Sequence, residues 1–281
     1  MIDTSRYRIK PGGKVNVSGL DTDGESVVDK KKSDSKDETK RLAKKLDDLQ
    51  ERLYAEHKHK LLIILQAMDT AGKDGVIRRI FEGVNPAGVR VAHFREPSIE
   101  EKEHGFLWRA YAQIPSDGEI TIFNRSHYEG VLVERVHNLV PKTVWEKRYG
   151  EINEFEKLLT DQNVTILKFF LNIDPEEQKR RIEERLEDPT KEWKFSEEDL
   201  NERKYWNDYM RAYEDALNKT STESAPWYAV PSNHRWLRDL IVSTVVVETL
   251  ESFNMKYPIL PAKLKASKIP SVTFPETTKS K

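Results

Sequence analysis

The segment Leu61–Gly75, LLIILQAMDTAGKDG, constrains this chain more than any other. Leu61, Leu62, Ile63, Ile64 and Leu65 run without a polar break. A short apolar run that ends in small residues reads as a buried strand feeding a tight loop. After the loop, Val76, Ile77, Ile80 and Phe81 have the apolar spacing of a helix. Strand, turn and helix N-terminus together make an anion cradle, because free backbone N–H groups and the positive end of the helix dipole face the same point. The stretch Ala67–Asp74 follows the phosphate-loop pattern G-x-x-x-x-G-K-[ST] incompletely. Gly72 and Lys73 are in place, Ala67 stands for the first glycine, and Asp74 stands for the Ser/Thr hydroxyl that reaches Mg²⁺. An ordinary strand–turn–helix junction with a solvated Lys73 would read the same way, so the rest of the chain must decide.

Any anion site here has to be local. The net charge of the 281 residues is −1, which argues against a nucleic-acid partner or a charged membrane surface. No apolar run approaches the ~20 residues of a membrane span, and the N-terminus lacks an apolar core of signal-peptide length. There is no cysteine, which excludes disulfides and thiolate metal sites. A cytoplasmic location is expected.

Apolar runs near 61, 89, 120, 164 and 227 alternate with helical patterns. The expected fold is therefore α/β: a parallel, doubly wound sheet in three layers. Leu42, Leu46, Leu49 and Leu53 stripe a helix over 36–58 that faces either its own domain or a second copy. Ser98 and Asp174-Pro175 are expected helix N-termini. Residues 1–34 read as an extended or disordered arm, 35–255 as a single domain and 256–281 as an extended tail. Residues 187–225 pair few aliphatics with many aromatics and charges, which reads as a helical lid. The third strand ends in Asn124-Arg125-Ser126-His127-Tyr128-Glu129. Polar residues at the carboxyl end of such a strand border the ligand crevice of open α/β sheets.

Five blocks, in this order and spacing, carry a resemblance. They are MDTAGKDG, REPSIEEKEHGFLWR, FNRSHYE followed by VERV, DPEEQKRRIEERLEDPTKEWKFSEEDLNERKYWNDYMRAYEDAL, and APWYAVPSNHRWLRDL. The sequence strongly resembles the polyphosphate kinase 2 family over about residues 35–255, a family with the P-loop kinase fold related to thymidylate kinases. The resemblance implies phosphoryl transfer between inorganic polyphosphate and a nucleotide, with Mg²⁺ as cofactor (Mn²⁺ as a substitute) and a homodimer or homotetramer as the assembly. The family's third-strand motif often begins F-D-R-S-W-Y. The present version, with Glu129 after the tyrosine, looks like the group acting on both AMP and ADP. Asn124 stands where that family carries an aspartate, and Gly130 where that group usually carries one.

On this footing Lys73 and the backbone of Thr70, Ala71, Gly72, Asp74 and Gly75 would cradle the moving phosphate. Asp69 and Glu129 would hold Mg²⁺, and Arg125 would stabilise charge in the transition state. Polyphosphate needs a row of cations, for which Arg109, Arg135, Arg181 and Arg185 are candidates; each is also readable as an ordinary ion-pair arginine. Adenine nucleotides are the expected second substrate, with other purines admissible. Two other readings stand beside this one. They are an ATP-dependent nucleoside monophosphate kinase of thymidylate kinase type and a non-catalytic polyanion- or nucleotide-binding protein.

Overall fold

The computed structural model describes residues 2–24, 32–190 and 192–261. Five strands form one sheet: β1 (Lys60–Gln66), β2 (Val89–His93), β3 (Ile120–Asn124), β4 (Val164–Asn172) and β5 (Trp227–Pro231). Their order is β2-β3-β1-β4-β5, and every neighbouring pair is parallel. A parallel sheet is covered on both faces, which is why β1 is apolar without alternation. Leu61, Ile63 and Leu65 enter one core cluster and Leu62 and Ile64 the other, as the period-2 alternation of a strand requires.

Helices α1 (Lys32–Glu56), α2 (Lys73–Ile80) and α10 (Arg235–Ser252) cover the first face. The stripe Leu42, Leu46, Leu49 and Leu53 is buried there, with α1 packed along α10. It therefore serves the chain's own core and does not offer a face to a second copy. Short helices α3 (Ile99–Glu103), α4 (Trp108–Tyr111) and α5 (Val133–Val136) follow β2 and β3. The second face is covered by α6 (Lys142–Asp161) and α9 (Trp206–Thr220). Between β4 and β5 lie α7 (Pro175–Glu187), α8 (Glu197–Glu202) and α9. Ser98 caps α3 in a reciprocal capping box with Glu101, and Asp174 caps α7 with Pro175 in its first turn.

Two of the expected segments take particular places in the fold. Residues 2–24 are tied down: Ile9 N–H donates to the Trp227 carbonyl at 2.8 Å, and Val15 N–H donates to Asn218 at 2.7 Å. The arm thereby covers the outer edge of β5, which would otherwise be left unpaired. The expected lid also divides in two. Tyr209, Met210, Ala212, Tyr213, Ala216 and Leu217 of α9 belong to the second core cluster, so only the portion before α9 borders the crevice at the carboxyl ends of β1 and β3. Its aromatics supply the core that the scarcity of aliphatics seemed to deny. The stretches 25–31 and 262–281, parts of the expected arm and tail, lie outside the described residues.

Under the sheet lies a buried polar network. Lys168 of β4 donates to Glu156 of α6 at 2.5 Å, to the Tyr128 hydroxyl at 3.0 Å and to the Thr220 carbonyl at 2.7 Å. The Tyr128 hydroxyl donates to Glu156 at 2.8 Å. Burial works against the Glu156 charge, but Lys168 outweighs it and holds the carboxyl below its ordinary value. Removing one partner strands the other charge. Lys168→Met is expected to lower the unfolding free energy by about 3–5 kcal/mol in urea denaturation, and adding Glu156→Gln should recover part of that loss.

Candidate functional site

The site sits where β1 and β3 end side by side. Arg125 N–H donates to the Leu65 carbonyl at 3.1 Å, which carries the β1–β3 register one residue past β3. Arg125 then turns with φ +60°, a left-handed conformation uncommon outside glycine. That turn accompanies a side chain directed back at the phosphate loop. Its Nη2 donates to Asp69 Oδ1 at 2.6 Å, and its Nη1 lies 3.8 Å from Glu129. Gln66, the last residue of β1, donates to Ser126 Oγ at 3.0 Å and ties the two loops together.

The loop itself is folded around Lys73. Its ammonium donates to the Ala67 carbonyl at 2.9 Å and the Met68 carbonyl at 3.4 Å, with Asp69 at 3.9 Å. Thr70 also has a left-handed φ of +65°, and its hydroxyl is buried with no protein partner. Gly72, at φ +105°, forms the N-cap of α2. A Cβ on Gly72 would lie 2.0 Å from Arg238 Nη1, so this position needs glycine for space as well as for backbone geometry.

Two buried arginines hold the loop from behind. Arg181 of α7 uses every N–H of its guanidinium. Nε donates to Glu177 (2.6 Å), Nη1 to the Thr70 and Ala71 carbonyls (3.2 and 2.8 Å), and Nη2 to the Ser232 and Asn233 carbonyls (2.5 and 3.0 Å). Arg238 of α10 donates to the Ala71 carbonyl at 3.0 Å and is itself paired with Asp239. With loop carbonyls drawn toward these cations, the backbone N–H side is left for an anion.

Charges in this cluster sustain one another. Burial opposes the Asp69 charge, but Lys73 and Arg125 together keep its carboxyl below the usual range. Burial pushes Lys73 down against the pull of Asp69. Glu129 foremost, then Asp69, keeps Arg125 firmly charged. Burial raises Glu129 in spite of Arg125.

Two cavities meet at Arg125. One, of about 760 Å³, is lined by the phosphate loop and by eight cationic side chains, Lys73, Arg78, Arg95, Arg125, Arg181, Arg185, Arg235 and Arg238, against five carboxylates. The other, of about 630 Å³, runs from Arg125 and Glu129 to a more apolar wall that includes Phe94, Phe106, Val133 and Leu139. A strand–loop–helix phosphate cradle facing a basic groove decides the class of chemistry, and similarity decides the family. Residues 29–258 match the family described as polyphosphate kinase 2. The chain belongs to the polyphosphate kinase 2 family.

Its relatives include the AMP/ADP-polyphosphate phosphotransferase of Meiothermus ruber, 51% identical over 253 residues, covering 90% of this chain and 95% of that one. The ADP-polyphosphate phosphotransferase of Rhodopseudomonas palustris is 43% identical, covering 94% of this chain and 96% of that one. Among solved structures, polyphosphate kinase 2 from Arthrobacter aurescens superposes with a TM-score of 0.89 at 40% identity, covering 95% of this chain and 96% of that one.

In this polyphosphate kinase 2 chain, Asp69, Thr70, Gly72, Lys73, Asp74, Gly75, Arg125, Arg181 and Arg185 border the basic cavity, and Ala71 lies buried behind it. Arg185 reaches Asp199 of α8 at 2.9 Å across the groove. Asp74 accepts a 2.6 Å hydrogen bond from Asn124, so the asparagine acts here as a donor to the loop and not as a carboxylate for a metal. Two of the four arginines expected along polyphosphate, Arg109 and Arg135, lie outside the basic cavity. Arg181 borders it but spends its donors on the protein. Arg109 lines the second cavity, stacks over Phe94 at 5.2 Å and donates to the Arg95 carbonyl at 2.8 Å. Arg135 pairs with Asp215 at 2.7 Å and stacks on Trp145 in a separate depression. Arg78, Arg95, Arg235 and Arg238 line the basic cavity in addition to the residues read from the sequence. Three of them lie in the blocks REPS and HRWLRDL, and only their position at strand ends and helix starts could have singled them out.

Gly72→Ala combines a strained φ with the Arg238 clash. It is expected to destabilise the protein by about 1–3 kcal/mol, visible as a lowered thermal midpoint, and to impair phosphate binding.

Proposed function

We propose that this chain transfers the terminal phosphoryl group of inorganic polyphosphate to AMP and ADP, giving ADP and ATP. The observation that carries the reading is the meeting of two unlike cavities at Arg125. The basic groove suits a linear polyanion, and the apolar-walled cavity suits a nucleoside whose phosphates reach Arg125. A purely ATP-dependent kinase would have less use for a groove with this many cations. The family relationship and the names of the relatives support the same substrates.

In the transfer, an oxygen of the nucleotide's end phosphate attacks the terminal phosphorus of polyphosphate. The bridging P–O bond to the rest of the chain breaks, and polyphosphate leaves one unit shorter with its electron pair. The attacking oxygen is already anionic, so no general base is required. Phosphoryl transfer then depends on alignment and on neutralising charge. Lys73 and the loop N–H groups would hold the group in flight, and Arg125, between the two cavities, would stabilise charge on it.

Mg²⁺ is part of this reading. Asp69 and Glu129 lie on either side of Arg125, Asp69 on the basic cavity and Glu129 on the apolar-walled one. Among the described residues there is no cluster of three or more His, Asp or Glu suited to a metal ion. That suits an ion held through one or two carboxylates, water and substrate phosphates. When bound, Mg²⁺ would screen the phosphate charges, and Asp69, kept ionised by Lys73 and Arg125, is the readier ligand.

Purified protein mixed with polyphosphate, AMP and Mg²⁺ is expected to form ADP and then ATP, followed by chromatography of the nucleotides, and chelation should stop the reaction. Lys73→Ala or Arg125→Ala should lower kcat by about 10²–10³-fold. Turnover of ATP with a nucleoside monophosphate, without any from polyphosphate, would overturn the reading.

A further inference from the structure

We propose that Gly130, Phe106 and Arg148 form the wall that fixes the acceptor's base, and that Gly130 is a specificity-determining position. The proposal rests on the reading of the apolar-walled cavity as the nucleoside site. Gly130 ends the turn His127–Gly130 that also carries Glu129. It does not have a left-handed φ, so its backbone would accept other residues. What it lacks is space. A Cβ there would lie 2.8 Å from Phe106 Cδ2 and 2.9 Å from Arg148 Nη1.

These two side chains are themselves fixed. Arg148 of α6 is buried, and its Nη1 donates to the Gly130 carbonyl at 2.8 Å and to Glu134 at 2.6 Å. Its guanidinium lies over the Phe106 ring at 4.5 Å. Phe106 also packs against the second core cluster and lines the cavity, as do Gly130, Glu134 and Arg148. The ring is therefore held by a cation that is held in turn by the turn carrying Glu129. A fixed aromatic ring bordering the cavity is a stacking partner for a purine, whose π-face needs no hydrogen-bond match. Any side chain at 130 would push the ring and the guanidinium apart. An aspartate would in addition compete with Glu134 for Arg148.

The test is steady-state kinetics with AMP, ADP and polyphosphate varied separately. Phe106→Ala and Gly130→Ala are each expected to raise KM for AMP and ADP about tenfold, with KM for polyphosphate within about twofold, a split that a general loss of stability would not produce. Phe106→Tyr, which keeps the ring, should retain the parental nucleotide KM. If both alanine variants leave nucleotide KM within twofold, or raise both substrates' KM alike, the wall has no such role. Val133→Phe, elsewhere on the cavity lining, separates the two levels. A raised nucleotide KM in that variant with none in the alanine variants refutes the wall alone. A nucleotide KM unchanged in all three variants refutes the nucleoside reading, and this proposal with it.

Discussion

The Arg181 guanidinium is the interaction on which the rest of the site depends. It joins three pieces of chain that are distant in sequence: the phosphate loop, helix α7 and the turn after β5. A loop with a left-handed turn at the non-glycine Thr70 stores strain, and strain persists only where surrounding contacts over-determine the conformation. Arg181 and Arg238 supply those contacts from the carbonyl side. Burial pushes Arg181 down to about 10, still far above neutrality, so the clamp stays charged under working conditions. Its role is positioning, and a lysine could not replace it, because only a planar guanidinium presents five donors at fixed angles.

In front of the loop the charges alternate. Lys73, Asp69, Arg125 and Glu129 form a chain in which each cation faces a carboxylate. Such a set is held together by its own ion pairs. Buried groups with opposing environments concentrate at functional sites, and here Glu129 and Asp69 keep Arg125 charged. The carboxylates facing Arg125 are Asp69 and Glu129, while Asn124 donates to Asp74 in the first turn of α2.

Much of this was legible beforehand because it is local. The run Leu61–Leu65, the caps at Ser98 and Asp174 and the crevice residues Arg125 and Glu129 follow from periodicity, capping chemistry and position at strand ends. Arg181 was legible as a basic residue in the right region but not in its role, since nothing in an i,i+4 spacing says that the turn after β5 will arrive at its tip. Arg135 and Arg109 looked like members of the same cationic row, and only the packing shows Arg135 against Trp145 and Arg109 against Phe94. The crowding of Phe106 and Arg148 around Gly130 joins three separate elements, so a glycine in place of an expected aspartate could be noticed but not explained. The aromatics of α9 misled for a different reason: tyrosines can be buried when their hydroxyls find partners, as Tyr209 does at Glu202.

The buried Lys168 network has a mechanical consequence. It grips the end of α9 through the Thr220 carbonyl and roots that helix in the sheet. The segment before α9 carries Glu198, Asp199 and Glu202 to the rim of the cavity beside Asp69 and Arg125. This segment is fastened at both ends: Arg185 of α7 holds Asp199 at 2.9 Å, Arg203 donates to Gln178 of α7 at 2.6 Å, and Tyr209 of α9 donates to Glu202 at 2.6 Å. Its acidic residues thus stand at the rim as fixed charges, and the contacts that fix them run back to the helix that carries Arg181.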